Sequence, residues 1–471
     1  MENRNLWNRY DADQLHKMEE VTNWYKICLD KGKTERECVR ISVDMAEKAG
    51  FKPLSEYIAE NKKPEPGSKI YAVYNEKTLA LFHIGKDSIE KGMNILGAHI
   101  DSPRIDVKQN PLYERNGFAY FDTHYYGGIK KYQWVTIPLS LHGVIVKKDG
   151  TKIDINIGED DADPVFVISD LLIHLAQKQM KKTGTEIVEG EKLDLLVGSR
   201  PLESSRPAKL KDKESVAIKK NILDILKNKY DVEEEDFLSA ELEIVPAGKA
   251  RDMGLDRSMI ISYGQDDRIC AFTSLMAILD IETPERTACC LLVDKEEIGS
   301  VGASGMHSRF FENTLAEIVS LMGLDANLAL RRALQNSTML SSDVSAGYDP
   351  LYSDVFDKNN AAFLGEGPVF NKFTGSRGKS GSNDANPEFM ARIRRVLDDE
   401  GILFQTSELG KVDVGGGGTI AYIMGNYGME VIDCGIAILC MHAPFEVASK
   451  ADIYETVRAY TAFLNKMDNI K

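Results

Sequence analysis

The sequence predicts an α/β protein in which a largely parallel sheet lies between helices and a second domain interrupts the first. Three observations support this prediction. From residue 255 onward, helical patterns alternate with short apolar runs, an alternation typical of a sheet covered by helices. Residues 107–250 differ in character and contain a strong hairpin signal. The chain also has 471 residues, more than one small core usually organises.

The amino-terminal elements follow from the spacing of apolar residues. Residues 12–50 repeat them at helical intervals and end at a glycine, which predicts mostly helix. Short apolar runs then alternate with turn residues, as in successive strands. We predict these strands over residues 70–74, 78–83 and 94–99.

The middle of the chain predicts a separate domain. Asp149-Gly150 separates two apolar runs, and Asp-Gly between such runs is a strong hairpin signal. The expected elements are strands at 137–146, 153–157 and 242–246 and helices at 165–181 and 216–229. We therefore predict an inserted domain over residues 107–250 and a first domain made of residues 1–106 and 251–471.

The carboxyl-terminal half alternates helices with buried strands. One helix has a sharp predicted start, because Asn386 suits an N-cap and Pro387 suits the first helical position. The predicted helices cover residues 266–281, 305–322, 386–399 and 450–466, and the predicted buried strands cover 289–294 and 431–440.

Composition excludes several classes of protein. Lys plus Arg number 58 against 73 Asp plus Glu, a net charge of −15, which argues against nucleic acid as the main partner. No apolar run approaches the ~20 residues of a membrane-spanning helix, and the first residues lack a signal-peptide segment. The seven cysteines are odd in number, with no C-x-x-C pair. We expect a cytoplasmic protein with reduced core cysteines and no membrane partner.

Candidate metal ligands lie at the edges of apolar runs. They are two imidazoles and three carboxylates: His99, Asp266, Glu297, Asp343 and His442. Such a set suits two divalent ions, and nitrogen and oxygen ligands without thiolate suit zinc, cobalt or manganese. Paired ions of this kind activate a shared water in aminopeptidases and phosphatases.

Two further carboxylates have supporting roles in this hypothesis. Asp101 lies two residues after His99 and therefore points to the same side of the chain, where it can hold a neighbouring ligand in place. Glu296 precedes Glu297 and is placed to act as a base towards a metal-bound water, provided that the chain turns sharply there.

Each cluster also has an ordinary structural explanation. A lone histidine at a strand end is often a satisfied polar group, and Glu296-Glu297 could be a solvated pair. Asp266-Asp267 could face the dipole of the following helix, and Asp343 could be a turn residue. The glycine run at 415–418 lacks the Gly-Lys-Ser/Thr ending of a phosphate loop. It suits a loop that presents backbone donors to a carbonyl or oxyanion, with simple flexibility as the alternative.

Taken in order, the motifs resemble the M18 family of metallo-aminopeptidases. The matching segments are GAHIDSP at 97–103, Asp266, DKEEIGS at 294–300, Ser342-Asp343 and Met441-His442. The resemblance covers nearly the whole chain. It implies a zinc-peptidase-like α/β/α domain with a mixed sheet, interrupted by an α+β dimerisation domain, and a homo-oligomer in which dimers build a dodecamer.

The resemblance also implies roles for individual residues. His99 and Asp343 would bind one ion, Glu297 and His442 the other, and Asp266 would bridge both. Asp101 would orient ligands, and Glu296 would be the general base. Gly417 and Gly418 match the family's glycine-containing substrate loop, and Lys372 falls near the region that supplies a substrate-contacting lysine.

One position departs from the pattern of the family's aspartyl aminopeptidases. Residues 168–175 resemble an inserted-domain helix that carries a histidine reaching a neighbouring subunit's site. Here Asp170 takes that position. A carboxylate would repel an acidic substrate side chain and favour a basic one, so we expect Asp170 to influence substrate choice.

The predicted function is hydrolysis of the N-terminal residue from peptides with a free amine, by an enzyme that holds two divalent ions, zinc first among them. One alternative is a two-metal deacylase or carboxypeptidase-like hydrolase on a related fold. Another is a non-enzymatic scaffold that binds structural calcium, which the two histidines disfavour because calcium prefers six to eight oxygen ligands.

Overall fold

A computed structural model describes residues 5–202, 217–375 and 377–467. These residues divide into two compact units. The first is drawn from Met1–Ser102, Ala250–Met441 and Glu446–Lys471, and the second from Pro103–Lys249 and His442–Phe445. The sequence prediction had placed residues 442–445 in the first domain, whereas their backbone groups with the second unit.

The α-helices of the described residues are, in chain order, α1 (Ala12–Lys31), α2 (Glu35–Lys48), α3 (Leu54–Ala59), α4 (Ala217–Tyr230), α5 (Gln265–Asp280), α6 (Phe310–Leu321), α7 (Leu328–Gln335), α8 (Pro387–Asp399), α9 (Ala421–Gly425) and α10 (Lys450–Lys466). Among them, no helix is both long and apolar enough to cross a membrane.

The strands are β1 (Lys52–Pro53), β2 (Lys69–Tyr74), β3 (Thr78–His83), β4 (Met93–His99), β5 (Arg104–Arg115), β6 (Phe118–Tyr126), β7 (Leu139–Val146), β8 (Lys152–Ile157), β9 (Leu195–Gly198), β10 (Ala240–Pro246), β11 (Arg251–Met253), β12 (Met259–Ser262), β13 (Thr287–Val293), β14 (Thr338–Ser342), β15 (Ser345–Ala346), β16 (Val369–Asn371), β17 (Gln405–Thr406), β18 (Glu430–Gly435), β19 (Ala437–Leu439) and β20 (Glu446–Ser449).

The main sheet of the first unit has nine strands in the order β1-β2-β3-β13-β4-β14-β18-β16-β17. The four neighbours β13, β4, β14 and β18 run parallel, whereas β3 and β16 flank them in the antiparallel direction. The predicted mixed sheet is thus confirmed. A smaller sheet of the same unit has the order β11-β12-β20-β19-β15.

Helices cover both faces of this main sheet. Every residue of β4 and β13 is buried, as expected for strands enclosed on both sides. Side chains of successive residues point to opposite faces, and Leu96 and Ile95 accordingly join separate apolar cores. The first core includes residues of α5 and α10, and the second includes residues of α6 and α7. The α/β/α arrangement follows.

The second unit has a six-stranded antiparallel sheet in the order β8-β7-β10-β5-β6-β9. The predicted hairpin is confirmed, because β7 and β8 pair around the turn at Asp149-Gly150. The predicted helix at 216–229 is present as α4.

The predicted helix over 165–181 is wrong. Phe166 and Val167 instead form β-bridges with Leu139 and Leu196, and only two short 3₁₀ turns follow, at Ile173–Leu175 and Gln179–Lys181. The apolar side chains of this segment are largely exposed. A helix gains most of its stability from packing its apolar face, and the described residues leave most of this segment's apolar side chains uncovered.

Three other predicted elements are divided or shortened. The helical region at 12–50 is two helices, because Thr34 caps α2: its hydroxyl accepts the amide of Glu37, whose carboxylate accepts the amide of Thr34. The run at 431–440 supplies β18 and β19, which belong to different sheets. The helix predicted from residue 305 begins only at Phe310.

Candidate metal centre

The main sheet brings the predicted ligands of the first unit to one edge. On the parallel strands β4 and β13, His99 pairs with Val293, three residues before Glu296. On β14, Ser341 pairs with Gly97 of β4 and lies two residues before Asp343. Because the carboxyl ends of parallel strands meet at one edge, residues distant in sequence become neighbours there.

His99 lies at the centre of this group and is only 2% exposed. Its Nδ1 is 3.0 Å from the backbone carbonyl oxygen of Asp101. A carbonyl only accepts, so Nδ1 donates to it, and Nε2 is the ring nitrogen that remains for a metal. That Nε2 is 3.3 Å from an oxygen of Asp266, and 3.9 Å from one oxygen each of Glu296 and Asp343. The imidazole thus presents its metal-binding nitrogen to three carboxylates.

Asp101 connects this histidine to the next segment. Its two carboxylate oxygens accept the amides of Glu296 and Glu297, each at 3.1 Å, and Oδ1 is 3.3 Å from Nδ1 of His99. The chain turns sharply there, because Lys295 and Gly299 have φ of 71° and 96° on either side of a 3₁₀ turn. The turn required by the sequence hypothesis is present.

Asp266 and Asp267 both lie beside His99. The amide of Asp266 donates to Glu446 Oε2 at 2.9 Å, and the hydroxyl of Ser102 donates to the Asp266 carbonyl at 2.6 Å. Asp267 Oδ2 accepts the backbone amide of His99 at 3.3 Å. A cis peptide bond joins the two aspartates.

The donor set fits a divalent cation. One ligand atom each from His99, Asp267 and Asp343 lies within 4.8 Å of the others, and the same holds for His99, Glu296 and Glu297. Burial raises the pKa of Asp267 and of Asp343, and neighbouring carboxylates raise both further. A bound cation would offset the electrostatic repulsion among these buried carboxylates. Oxygen and imidazole nitrogen are the ligands that zinc accepts.

The pKa of His99 also reflects the carboxylates around it. Burial by itself lowers the pKa of the imidazole, but hydrogen bonds with Asp101 and Asp266 outweigh it and hold the pKa well above its usual range. The surrounding carboxylates thus favour a positive charge at this position.

His442 belongs to the second unit. Its Nδ1 is 2.9 Å from the carbonyl oxygen of Gly128, so Nδ1 again carries the proton and Nε2 the lone pair. A ligand histidine commonly donates its other ring N–H in this way.

The glycine loop at 415–418 precedes α9. A Cβ at Gly417 or Gly418 would meet none of the described residues within 4 Å, beyond the adjacent positions of the loop. At Gly415 it would lie 1.9 Å from the carbonyl oxygen of Leu409. The fold therefore requires glycine at the first position, whereas 417 and 418 leave their backbone open to an approaching group.

Two predicted substrate-binding residues, Lys372 and Asp170, make their described contacts with residues outside the metal centre. Lys372 Nζ is 3.8 Å from Asp384, and both side chains are about half exposed. Asp170, placed on a helix by the sequence analysis, lies instead in the irregular segment described above. Its carboxylate is exposed and accepts hydrogen bonds from the Gln179 side chain and the Leu171 amide, each at 2.8 Å.

Sequence reasoning missed three acids of the first unit. The Asp266-Asp267 pair is apparent in the sequence, but the sequence prediction names only Asp266 as a metal ligand. Glu446 follows His442 by four residues. Asp433 interrupts the apolar run of β18, and burial raises its pKa to about 7. A charged residue inside a buried strand was the available signal for Asp433.

Comparison with known proteins agrees with the site. The family model described as aminopeptidase I zinc metalloprotease (M18) matches residues 28–464. A curated relative from Clostridium acetobutylicum, named "Probable M18 family aminopeptidase 1", is 57% identical over 464 residues, 98% of either chain.

Solved structures agree as well. An M18-family aminopeptidase from Thermotoga maritima matches with a TM-score of 0.93 at 44% identity, covering 99% of this chain and 100% of that one. Aminopeptidase I from Clostridium acetobutylicum matches with a TM-score of 0.90 at 55% identity and the same coverage. The predicted fold class and enzyme class are confirmed, and the chain belongs to the M18 family of zinc metallo-aminopeptidases.

Proposed function

We propose that this protein removes the N-terminal residue from peptides with a free amine by a two-metal mechanism in which Glu296 is the general base. One observation carries the proposal: His99 is buried, its Nδ1 faces the Asp101 carbonyl, and its Nε2 faces the carboxylates of Asp266, Glu296 and Asp343. An imidazole held in this way is typical of a metal ligand.

The ligand assignment in this proposal uses five residues. His99 and Asp343 would hold one ion, Glu297 and His442 would hold the other, and Asp266 would be shared between them. Zinc is the first choice, and cobalt and manganese share its ligand preferences. When bound, such ions supply Lewis acidity that lowers the pKa of a water and polarises the scissile carbonyl.

Glu296 suits the role of base by position. Its amide is held by Asp101 at 3.1 Å, and its Oε2 lies 3.9 Å from His99 Nε2. Its side chain retains some exposure, unlike that of His99. In the proposed reaction Glu296 accepts a proton from the attacking water and returns it to the amine of the leaving peptide.

Substrate recognition has three proposed contributors. The open space beside Gly417 and Gly418 would admit a substrate carbonyl or oxyanion, to which backbone amides of this loop would donate. Lys372, near the region that supplies a substrate-contacting lysine in the family, would contact the substrate. Asp170, if a neighbouring subunit brings it to the site, would disfavour acidic N-terminal residues.

We also propose that the protein is a homo-oligomer in which the second unit mediates dimerisation. Large apolar side chains are exposed in one segment of that unit, among them Leu172, Ile173 and Leu175 at 54%, 66% and 68%. Exposed apolar groups of this density mark interaction surfaces. The Saccharomyces cerevisiae mApe1 structure, only 20% identical, is a dodecamer, and we propose the same assembly here.

Metal removal and one substitution test this function. Dialysis against a chelator should abolish release of amino acids from aminoacyl p-nitroanilides, and added zinc or cobalt should restore it. Glu296→Gln should retain its metal content and lower kcat by about 10²–10⁴, the usual contribution of a general base.

The matched control is Glu317→Gln, on α6, outside the described metal cluster, which should keep the wild-type rate. N-acetylated substrates should not be cleaved, because the free amine is required. Undiminished activity after metal removal, or in Glu296→Gln, would refute the mechanism.

A further inference from the structure

Asp433 lies in the main sheet next to the candidate metal centre, on the side of the amino ends of the parallel strands. On β18 it pairs with Ser341 of β14, which in turn pairs with Gly97 of β4. Aligned residues of parallel strands point to the same face, and side chains alternate along each strand. Asp433 is therefore in the row two residues before His99 and Asp343, on the face that they share.

This carboxylate is 3% exposed and binds the end of the glycine loop. The hydroxyl of Thr419 donates to Asp433 Oδ1 at 2.5 Å, and the same hydroxyl oxygen accepts the amide of Ala421 at 3.3 Å. One threonine thus joins the sheet, the loop at 415–418 and the first residue of α9.

The rest of the loop is held by weaker backbone contacts. The Gly415 amide donates to Lys411 at 3.2 Å, and the Gly417 amide is 3.4 Å from the Thr374 carbonyl oxygen. Backbone hydrogen bonds this long are near the limit of useful geometry. The bond from Thr419 to the Asp433 carboxyl group is shorter than either.

A carboxylate in the middle of a buried strand has an energetic cost, which hydrogen bonding must offset. Asp433 is not one of the proposed metal ligands, although its charge interacts with that of Glu296. A residue that only filled the core would be apolar. The Ser341 hydroxyl also stabilises the carboxylate, but the bond to Thr419 is the one that reaches the glycine loop.

We propose that Asp433 is a positioning residue that, through Thr419, fixes the glycine loop for peptide binding. The inference rests on the proposed function, because it assumes that Gly417 and Gly418 contact substrate. It assigns to Asp433 an effect on substrate affinity, exerted without contact with the substrate.

The test is steady-state kinetics of the metal-loaded protein on the aminoacyl p-nitroanilide that the wild type cleaves best. Thr419→Val removes the hydroxyl at constant size and should raise KM about tenfold, the factor expected from losing one hydrogen bond. The kcat and the zinc content should change much less. Thr419→Ser keeps the hydroxyl and should restore most of the wild-type KM.

Thr338→Val is the matched control. Thr338 is buried, whereas Thr419 is partly exposed, and the Thr338 hydroxyl likewise donates to a side-chain oxygen, Asn94 Oδ1, at 3.0 Å at the amino end of the same sheet. This variant should lower thermal stability without changing KM. If Thr419→Val does not fold, Thr419→Ala removes the same hydroxyl.

An unchanged KM in the folded Thr419 variant would overturn the proposal, and so would parallel losses of zinc and kcat at constant KM. Failure of the proposed function has a different signature. It would appear in the wild type itself, as an absence of metal-dependent cleavage of the anilides.

Discussion

Asp101 uses one side chain to hold three parts of the site. Its oxygens accept the amides of Glu296 and Glu297 and approach Nδ1 of His99. It is buried, with 1% exposure, so these bonds form in a low-dielectric environment where charge-assisted contacts are strong. The position of the proposed base therefore depends on the same residue that orients a proposed ligand.

Replacement by asparagine tests this role. Asp101→Asn keeps the size but offers one acceptor oxygen where the carboxylate offers two, so one of the two amides loses its partner. We expect metal affinity or kcat to fall about 10–100-fold, as is usual for residues that orient ligands. Metal titration followed by kinetics would measure both.

Asp122→Asn is a suitable comparison, because Asp122 lies in the second unit and pairs with Lys108 at 2.7 Å. It should leave metal affinity unchanged. Wild-type affinity and wild-type kcat together in Asp101→Asn would show that the turn at 296–298 holds its shape without this carboxylate.

At the scale of elements, the position of Asp343 depends on how closely β18 approaches the segment that follows β14. The Asp343 amide donates to the carbonyl of Cys434 at 3.1 Å. A Cβ at Gly435 would lie 1.8 Å from the Asp343 carbonyl oxygen. Glycine is needed at this crossing because the two backbones approach too closely for a side chain.

Gly435→Ala should displace the backbone of Asp343. We expect a loss of about 1–3 kcal/mol in the free energy of unfolding, typical of forcing atoms into a packed interior, together with weaker zinc binding. Denaturant unfolding and zinc titration would measure the two effects. Gly184→Ala is the control, because a Cβ there has open space and φ is not positive. Normal zinc binding by Gly435→Ala would mean that Asp343 is not a ligand.

At the scale of the whole molecule, the exposed apolar segment of the second unit requires an explanation. Leu171, Leu172, Ile173 and Leu175 are consecutive or nearly so, and all are exposed. The sequence pattern that predicted a helix there is amphipathic, yet none of the described residues of the chain covers these four side chains. A second copy of the chain would provide that cover.

Charge substitution tests this explanation. Ile173→Asp combined with Leu175→Asp should reduce the mass of the assembly, because charges at an apolar interface lose hydration without gaining partners. Analytical ultracentrifugation would report the change. Leu255→Asp, at an exposed position of the first unit, should leave the mass unchanged. A wild type that sediments as a monomer would end the proposal of a homo-oligomer.

The sequence alone determined the α/β class, most strands and helices, and the family. These features depend on local spacing and on the order of motifs, both of which are written directly in the chain. The buried strand ending at His99 and the hairpin around Asp149-Gly150 are examples. The helix predicted around Asp170 failed, because periodicity cannot tell whether an apolar face will find a partner.

Only the tertiary structure decided which side chains meet. The spacing of Asp266-Asp267 could not show that both carboxylates lie beside His99. The bond between Thr419 and Asp433 joins residues that no local pattern connects. The physical reason is that strand order and register determine such contacts, and these arise from packing across the whole sheet.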